Sequence, residues 1–353
     1  RPSPGPSLIP SDARNPMTRS RRLLLLLAAV LLLGGAGTAV VLRAADRAVQ
    51  TRPGDPVAAP GRVALDGGRL VFVNGAPGPH RGAVVSVPGG EPRAERTASG
   101  LTCRRFHAAG GTGVCLSSAP GALAQDNRAV IVDSGLRPVR SFPLAGTPSR
   151  ARMSPSGRFA AWTVFVTGES YGSAFFSTRT AIADTRTGAL EPDLEKFSVT
   201  MDGRPYSAAD VNFWGVTFSG DDDTFYATLA TAGQTHLVRG SISGRSVTTL
   251  ARNVECPSLS PDETRIAYKK RVQRGASLWR EHVLDLRTLR EQPLAEKRSV
   301  DDQALWLDDR TLAYGLPADG AADTTDLWTV RADGSGEPRL LAPAASSPTR
   351  PVS

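Results

Sequence analysis

One pattern recurs along this chain and limits its folds more than composition does: an apolar residue, a tight turn of Ser, Pro, Asp or Gly, then a short apolar run. The clearest copies are SLSPDETRIAYKK from Ser258 and RMSPSGRFAAWTVF from Arg152. TFSGDDDTFYATL from Thr217 and LWLDDRTLAYGL from Leu305 follow the same plan, and VALDGGRLVFVN from Val63 and RFHAAGGTGVCLS from Arg105 are weaker copies. Pro presets φ for the second position of a turn, and Ser and Asp bond back to nearby backbone, so each copy reads as strand, hairpin, strand. Anchored on Ala64, Phe106, Met153, Phe218, Leu259 and Trp306, successive copies are 42, 47, 65, 41 and 47 residues apart. Periods of about 40–50 residues with this content mark propeller blades.

A third strand ending in Asp and a fourth short strand complete the repeat. They are read in TAIADTRTGAL (Thr180 to Leu190), EHVLDLRTLREQPL (Glu281 to Leu294) and DLWTVRADGSGEPRLL (Asp326 to Leu341). The expectation is an all-β, six-bladed β-propeller over 61–343, with 344–353 as a disordered tail. The long interval holds an insertion, Glu191 to Trp214, between blades three and four.

In these repeats the chain resembles the TolB-type propeller, whose repeat core is W-S-P-D-G-x-x-I-A-Y; SLSPDETRIAYKK matches it best and RMSPSGRFAAW next. The resemblance spans roughly residues 60–343. It implies a six-bladed, extracytoplasmic propeller that binds protein partners through one face. Ahead of the repeats, an apolar run stands where that family has an α/β domain, so the family's lipoprotein partner is not carried over.

That run, Leu23 to Leu42, has twenty residues without a charge. As a helix it spans about 30 Å, the thickness of a bilayer's hydrocarbon core. Arg19, Arg21 and Arg22 precede it, which places residues 1–22, a disordered basic segment, in the cytoplasm and the propeller outside. Its length and the Arg43 that closes it favour a signal anchor over a cleaved signal peptide. Residues 43–60 read as a linker. The chain begins with Arg1, and Met17 is a plausible start for an exported protein.

The net charge of +8 comes mostly from Arg dispersed among Asp and Glu, which argues against a nucleic-acid-binding surface. Three cysteines fit export. Cys103 and Cys115 flank a Gly-rich hairpin centred near Ala109, so a cross-strand disulfide between directly opposed residues is expected. Cys256 is left over, either a free buried thiol or, with Cys103, part of the channel mouth.

The catalytic motifs are weak. GESYG around Ser170 matches the hydrolase nucleophile pattern, but it joins two strand-like runs instead of a strand and a helix. His236 and His282 belong to other blades. GDDDT, Gly220 to Thr224, lies where other repeats have a turn, so a solvated turn is preferred over a calcium site. No cofactor, metal or catalytic residue is expected. Propellers bind with the loops that enter the innermost strands and that join strands two and three. The expected interaction face there is Arg104, Arg105, Arg152, Glu169, Tyr171, Phe213, Trp214, Glu255, Lys269, Lys270, Arg271, Asp301 and Asp302. The function expected is a monomeric, membrane-anchored binding or scaffold module for an envelope protein. The alternative is an enzyme or receptor acting on a glycan or small ligand in the axial channel.

Overall fold

The computed structural model describes residues 56–118, 126–173, 176–274, 277–319 and 321–350, together with Val30. The basic N-terminal segment, the run Leu23–Leu42 apart from Val30, and linker residues 43–55 lie outside the described residues. No helix among the described residues is long and apolar enough to cross a membrane.

Six sheets form in chain order, antiparallel except where Ala58–Pro60 joins Arg96–Thr102 and the insertion joins blade four. Blade one takes β1 (Ala58–Pro60), β2 (Arg69–Asn74), β3 (Ala83–Pro88) and β4 (Arg96–Thr102). Blade two is β5 (Arg105–Ala109), β6 (Thr112–Ser118), β7 (Asn127–Val132) and β8 (Pro138–Pro143). Blade three is β9 (Thr147–Met153), β10 (Phe159–Thr167), β11 (Ser177–Asp184) and β12 (Leu190–Glu191). The insertion forms a 3-10 turn, Leu194–Lys196, and a hairpin of β13 (Ser198–Met201) and β14 (Arg204–Tyr206). Blade four follows with β15 (Asn212–Phe218), β16 (Thr224–Thr231), β17 (Gln234–Ser241) and β18 (Ser246–Arg252). Blade five is β19 (Glu255–Leu259), β20 (Arg265–Arg274), β21 (Ser277–Asp285) and β22 (Glu291–Pro293). Blade six is β23 (Leu305–Asp308), β24 (Thr311–Ala318), β25 (Ala321–Arg331) and β26 (Arg339–Ala342). The last strand, β27 (Ala345–Thr349), returns to blade one as its innermost strand, pairing Val71 with Thr349 and Asn74 with Ala345.

That closure corrects the boundary expected at 343. Residues 345–349 are a ring-closing strand, and Val63–Leu65, expected to supply the first inner strand, form a loop that buries Val63 and Leu65 against blade two. The ring is thus fastened by its two ends. Arg96 donates to the Ala344 carbonyl, and Thr349 Oγ1 donates to the Ala108 carbonyl at 2.8 Å, tying the last strand to blade two.

In blades two to six a tight turn joins the inner strand to its neighbour, as expected; in blade one the inner strand is β27, which follows blade six in the chain. In blade five, Ser260 Oγ accepts the Arg265 amide at 3.0 Å, and Asp262 accepts from the Thr264 amide and the Arg265 guanidinium. Ser154 Oγ accepts the Phe159 amide in the same way in blade three. The turn needs a left-handed residue, supplied by Gly157, Asp222 and Glu263 at φ +73°, +56° and +56°. Glu263 stands where the TolB-type repeat has Gly. Its carboxylate accepts from Ser219 Oγ and the Gly220 amide, both at 2.6 Å, so the side chain staples blade five to blade four.

Alternation along each strand sends successive side chains to opposite sheet faces, and each face packs against a neighbouring blade. In β20, Ile266 and Tyr268 enter the seam with blade four, and Ala267 the seam with blade six. The insertion covers blade four: β13 pairs parallel with edge strand β18, while Leu194, Phe197 and Val199 join the core of Phe213 and Phe225. A covered edge cannot template pairing with another chain.

The disulfide is Cys103–Cys115, with Cα atoms 5.4 Å apart. The two are not cross-strand partners: the hairpin turns at Gly110–Gly111, and Cys115 pairs with Phe106. Cys103 lies where blade one hands over to blade two, its amide bonded to the Gly82 carbonyl, so the bridge fastens β6 to the crossover. Its loop of 12 residues restrains the unfolded chain, and Cys103→Ala is expected to cost about 2–4 kcal/mol. Urea unfolding under non-reducing conditions measures the loss, and adding reductant to the variant is expected to change nothing further.

Candidate functional site

The hairpins between first and second strands define one face of the ring, called lower here. The loops entering inner strands and joining second to third strands define the upper face. Inner strands place side chains on the axis between them.

At the upper end the axis is filled with charge. Lys269 is fully buried and bonded to Asp301 Oδ1, with Glu255 Oε2 at 3.8 Å. Its ammonium lies 4.0 Å from the Trp279 ring centroid and 4.6 Å from that of Tyr171. Arg150 reaches the same Asp301 oxygen at 3.1 Å. Arg271 Nε and Trp279 Nε1 both donate to Glu255 Oε1, at 3.3 and 3.0 Å. Tyr171 hydroxyl meets Ser149 Oγ at 2.7 Å, and Arg105 Nε donates to the Ser149 carbonyl. Burial pushes Asp301 up, but Lys269 and Arg150 override it and hold the carboxyl below its ordinary value. Side chains from blades two, three, five and six therefore close the upper axis by pairing with one another.

Glu281 is the exception in this network. It is buried, and neither carboxyl oxygen has a hydrogen-bond partner among the described residues. Burial, then Asp302, raise it to about 8 against the pull of Lys269. The folded protein thus holds a proton there at neutral pH that the unfolded chain releases. Its stabilising contribution is full below the ordinary carboxylate range and lost as pH rises toward 8. Glu281→Gln is expected to flatten the decline of melting temperature between about pH 5 and pH 8 seen in the wild type.

The expected interaction face divides. Tyr171, Glu255, Lys269, Arg271 and Asp301 do converge, but on one another: the first three are buried, and Arg271 and Asp301 keep 34% and 38% of their side-chain surface exposed. Arg104 and Glu169 are exposed on the upper face. Asp302 accepts the Gly315 amide at 2.8 Å. Phe213 and Trp214, expected on the surface, are 0% and 1% exposed: Phe213 fills the seam between blades three and four, and Trp214 packs with Tyr171, Phe165 and Cys256. Lys270 leaves the axis and pairs with Glu291, because its parity in β20 is opposite to that of Lys269. Arg152 belongs to the lower axis, near the end of β9. Cys256 is a buried free thiol, raised by burial, in the upper aromatic cluster.

The weak motifs resolve as turns. Ser170 Oγ accepts the Gly172 amide in an exposed loop between β10 and β11. The acidic run diverges: Asp221 accepts the Asp223 and Thr224 amides, Asp222 accepts Ser156 Oγ, and Asp223 accepts Ser241 Oγ and the Ser243 amide.

Sequence reasoning missed the lower axis. A cavity of about 570 Å³ opens there, walled by His107, Arg152, Met153, Phe218, Ser258 and Trp306 among others. Hairpin residues Pro155, Pro261 and Glu263 reach its rim. Arg152 Nη2 donates to the Ala304 carbonyl at 3.0 Å, and Nη1 lies 3.2 Å from His107 Nε2. The Met153 amide donates to His107 Nδ1 at 3.0 Å. Burial, then Arg152, lower His107 well below its usual value, so the ring is neutral. The available signal was parity: Arg150 and Arg152, two apart on one inner strand, point the same way.

No family model matches the chain, and no curated protein matches it. Solved structures do. It is similar to a chain of the nidogen–laminin complex at 12% identity, covering 80% of this chain and 97% of that one, with a TM-score of 0.51. A puromycin-hydrolysing peptidase from Mycobacterium tuberculosis matches at 14% identity over 79% of this chain and 44% of that one, TM-score 0.46. The tricorn protease matches at 10% identity over 80% and 34%, TM-score 0.48. This chain spans less than half the length of those two peptidases. At such identities the likeness concerns the fold alone, and it agrees with the six sheets: the chain is a six-bladed β-propeller.

Proposed function

We propose that this protein is a non-catalytic binding module of the cell envelope. It is a TolB-like propeller anchored through Leu23–Leu42, extracytoplasmic, that receives an envelope protein at its lower axial mouth. The observation that carries the reading is the contrast between the two ends of the axis. Above, charged groups are engaged with one another, Lys269 lying against the Tyr171 and Trp279 rings. A general base or nucleophile has to be free to react, and these groups are held in ion pairs with one another. Below, a cavity of about 570 Å³ opens among hairpins of several blades. The disulfide supports an oxidising compartment.

A photo-crosslinking residue placed at exposed Pro261, on the lower rim, is expected to capture one envelope protein in cells. The same residue at exposed Glu169, on the upper face, is expected to capture none. Capture from Glu169 alone, or from neither, sinks the reading. A second reading, a receptor for a small ligand, is favoured by the cavity's volume, which lies within the range of about 300–1,000 Å³ typical of small-molecule sites.

A further inference from the structure

We infer that the lower axial cavity binds a small monocarboxylate with an apolar body, its carboxylate set against Arg152 and His107. The inference deepens the small-ligand reading above and rests on it.

Arg152 is 7% exposed and walls the cavity, yet among the described residues it forms no ion pair. Its guanidinium reaches the Ala304 carbonyl, Ser258 Oγ at 3.5 Å and the His107 ring, and its Nε has no hydrogen-bond partner. Arg150, two residues earlier on the same strand, is paired with Asp301. Burial lowers Arg152 to about 10, which still leaves it cationic at neutral pH. Asp302 supports that charge from beyond ion-pair contact; a buried charge held in no ion pair is costly, and such groups concentrate at functional sites.

His107 adds a second donor. The Met153 amide occupies Nδ1, so in the neutral ring the proton sits on Nε2, facing Arg152 Nη1 at 3.2 Å. Two donors face each other without an acceptor. A carboxylate beside them accepts from both, and planar guanidinium suits its two oxygens. Met153, Phe218, Leu259, Leu305 and Trp306 line the remaining wall and suit an apolar body. The charge of Arg152, offset only partly by Asp302, matches a monoanion, and Glu263 at the rim disfavours a dianion such as phosphate.

The test is calorimetric titration of the full chain in lipid nanodiscs with 4-phenylbutyrate at pH 7. The comparison arms are 4-phenylbutyramide, inorganic phosphate and an Arg152→Met variant. Saturable binding of the acid is expected, at least about tenfold tighter than the amide, since a charge-assisted hydrogen bond is lost. Arg152→Met is expected to lose at least about tenfold in affinity while melting no lower than the wild type. Equal binding of acid and amide overturns the carboxylate assignment and leaves the small-ligand reading standing. No binding of either at about 10 mM overturns both. Phosphate binding as tightly as the acid, or undiminished binding by a folded Arg152→Met, also overturns the proposal. If that variant does not fold, the wild-type comparison of acid with amide decides alone.

Discussion

Lys269→Met is expected to destabilise the propeller by about 3–5 kcal/mol, whereas Lys270→Met, one residue on, is expected to cost less than about 1 kcal/mol. Methionine keeps the stem that packs on Trp279 and Tyr171 and removes only the charge. Lys269 is fully buried and pairs with the Glu255 and Asp301 carboxylates, so its loss strands the fully buried Glu255 away from water and leaves Asp301, 38% exposed, with one cation fewer. Arg271 and Arg150 still hold one each, which bounds the effect. Lys270 and Glu291 keep 27% and 31% of their side-chain surface exposed, where screening makes a pair worth little. Equilibrium urea unfolding of both variants measures the difference. A Lys269→Met protein within about 1 kcal/mol of wild type shows that the upper plug does not hold the ring together. Adding Glu255→Gln to Lys269→Met is expected to recover part of the loss, since it removes a stranded charge.

Truncation after Pro343 is expected to abolish cooperative unfolding, while truncation after Arg350 is expected to leave it unchanged. The first removes β27 and exposes β2 as a raw edge, with Val71 and Phe72 both at 0% exposure in the intact ring. It also removes the Ala344 carbonyl that Arg96 bonds and the Thr349 hydroxyl that meets Ala108. The loss is expected to reach about 5 kcal/mol or more, comparable with the whole stability of a marginal domain. An unpaired apolar edge also invites association, so the short form is expected to aggregate. Calorimetry of the two truncations separates a closing strand from a dispensable tail: equal melting profiles would assign 345–349 to the tail.

These two cases mark where the sequence was legible. The blades could be read because a Ser-Pro-Asp turn and its flanking alternation act within about ten residues. Ser260 bonds Arg265 five residues away, and Ser154 bonds Phe159 in the same way, whatever surrounds them. The disulfide partners were likewise near in the chain, although their geometry followed from the crossover at Cys103 and not from the hairpin register. Residue type placed Trp214 among the candidate face residues and left packing between blades open, because aromatic character alone does not distinguish a partner's anchor from a seam filler. Only the packing of blade four against blades three and five decided that.

The sequence by itself determined the number of blades, the position of their hairpins and the all-β class, because local backbone preferences set these. The tertiary structure decided which end of the axis is plugged, why Lys269 and Lys270 differ, where Arg152 points, and that Ala345–Thr349 close the ring beside Arg69–Asn74. The last pairing joins residues over 270 positions apart. No local preference encodes it: it exists only once six twisted sheets have come round the axis and left β2 one strand short.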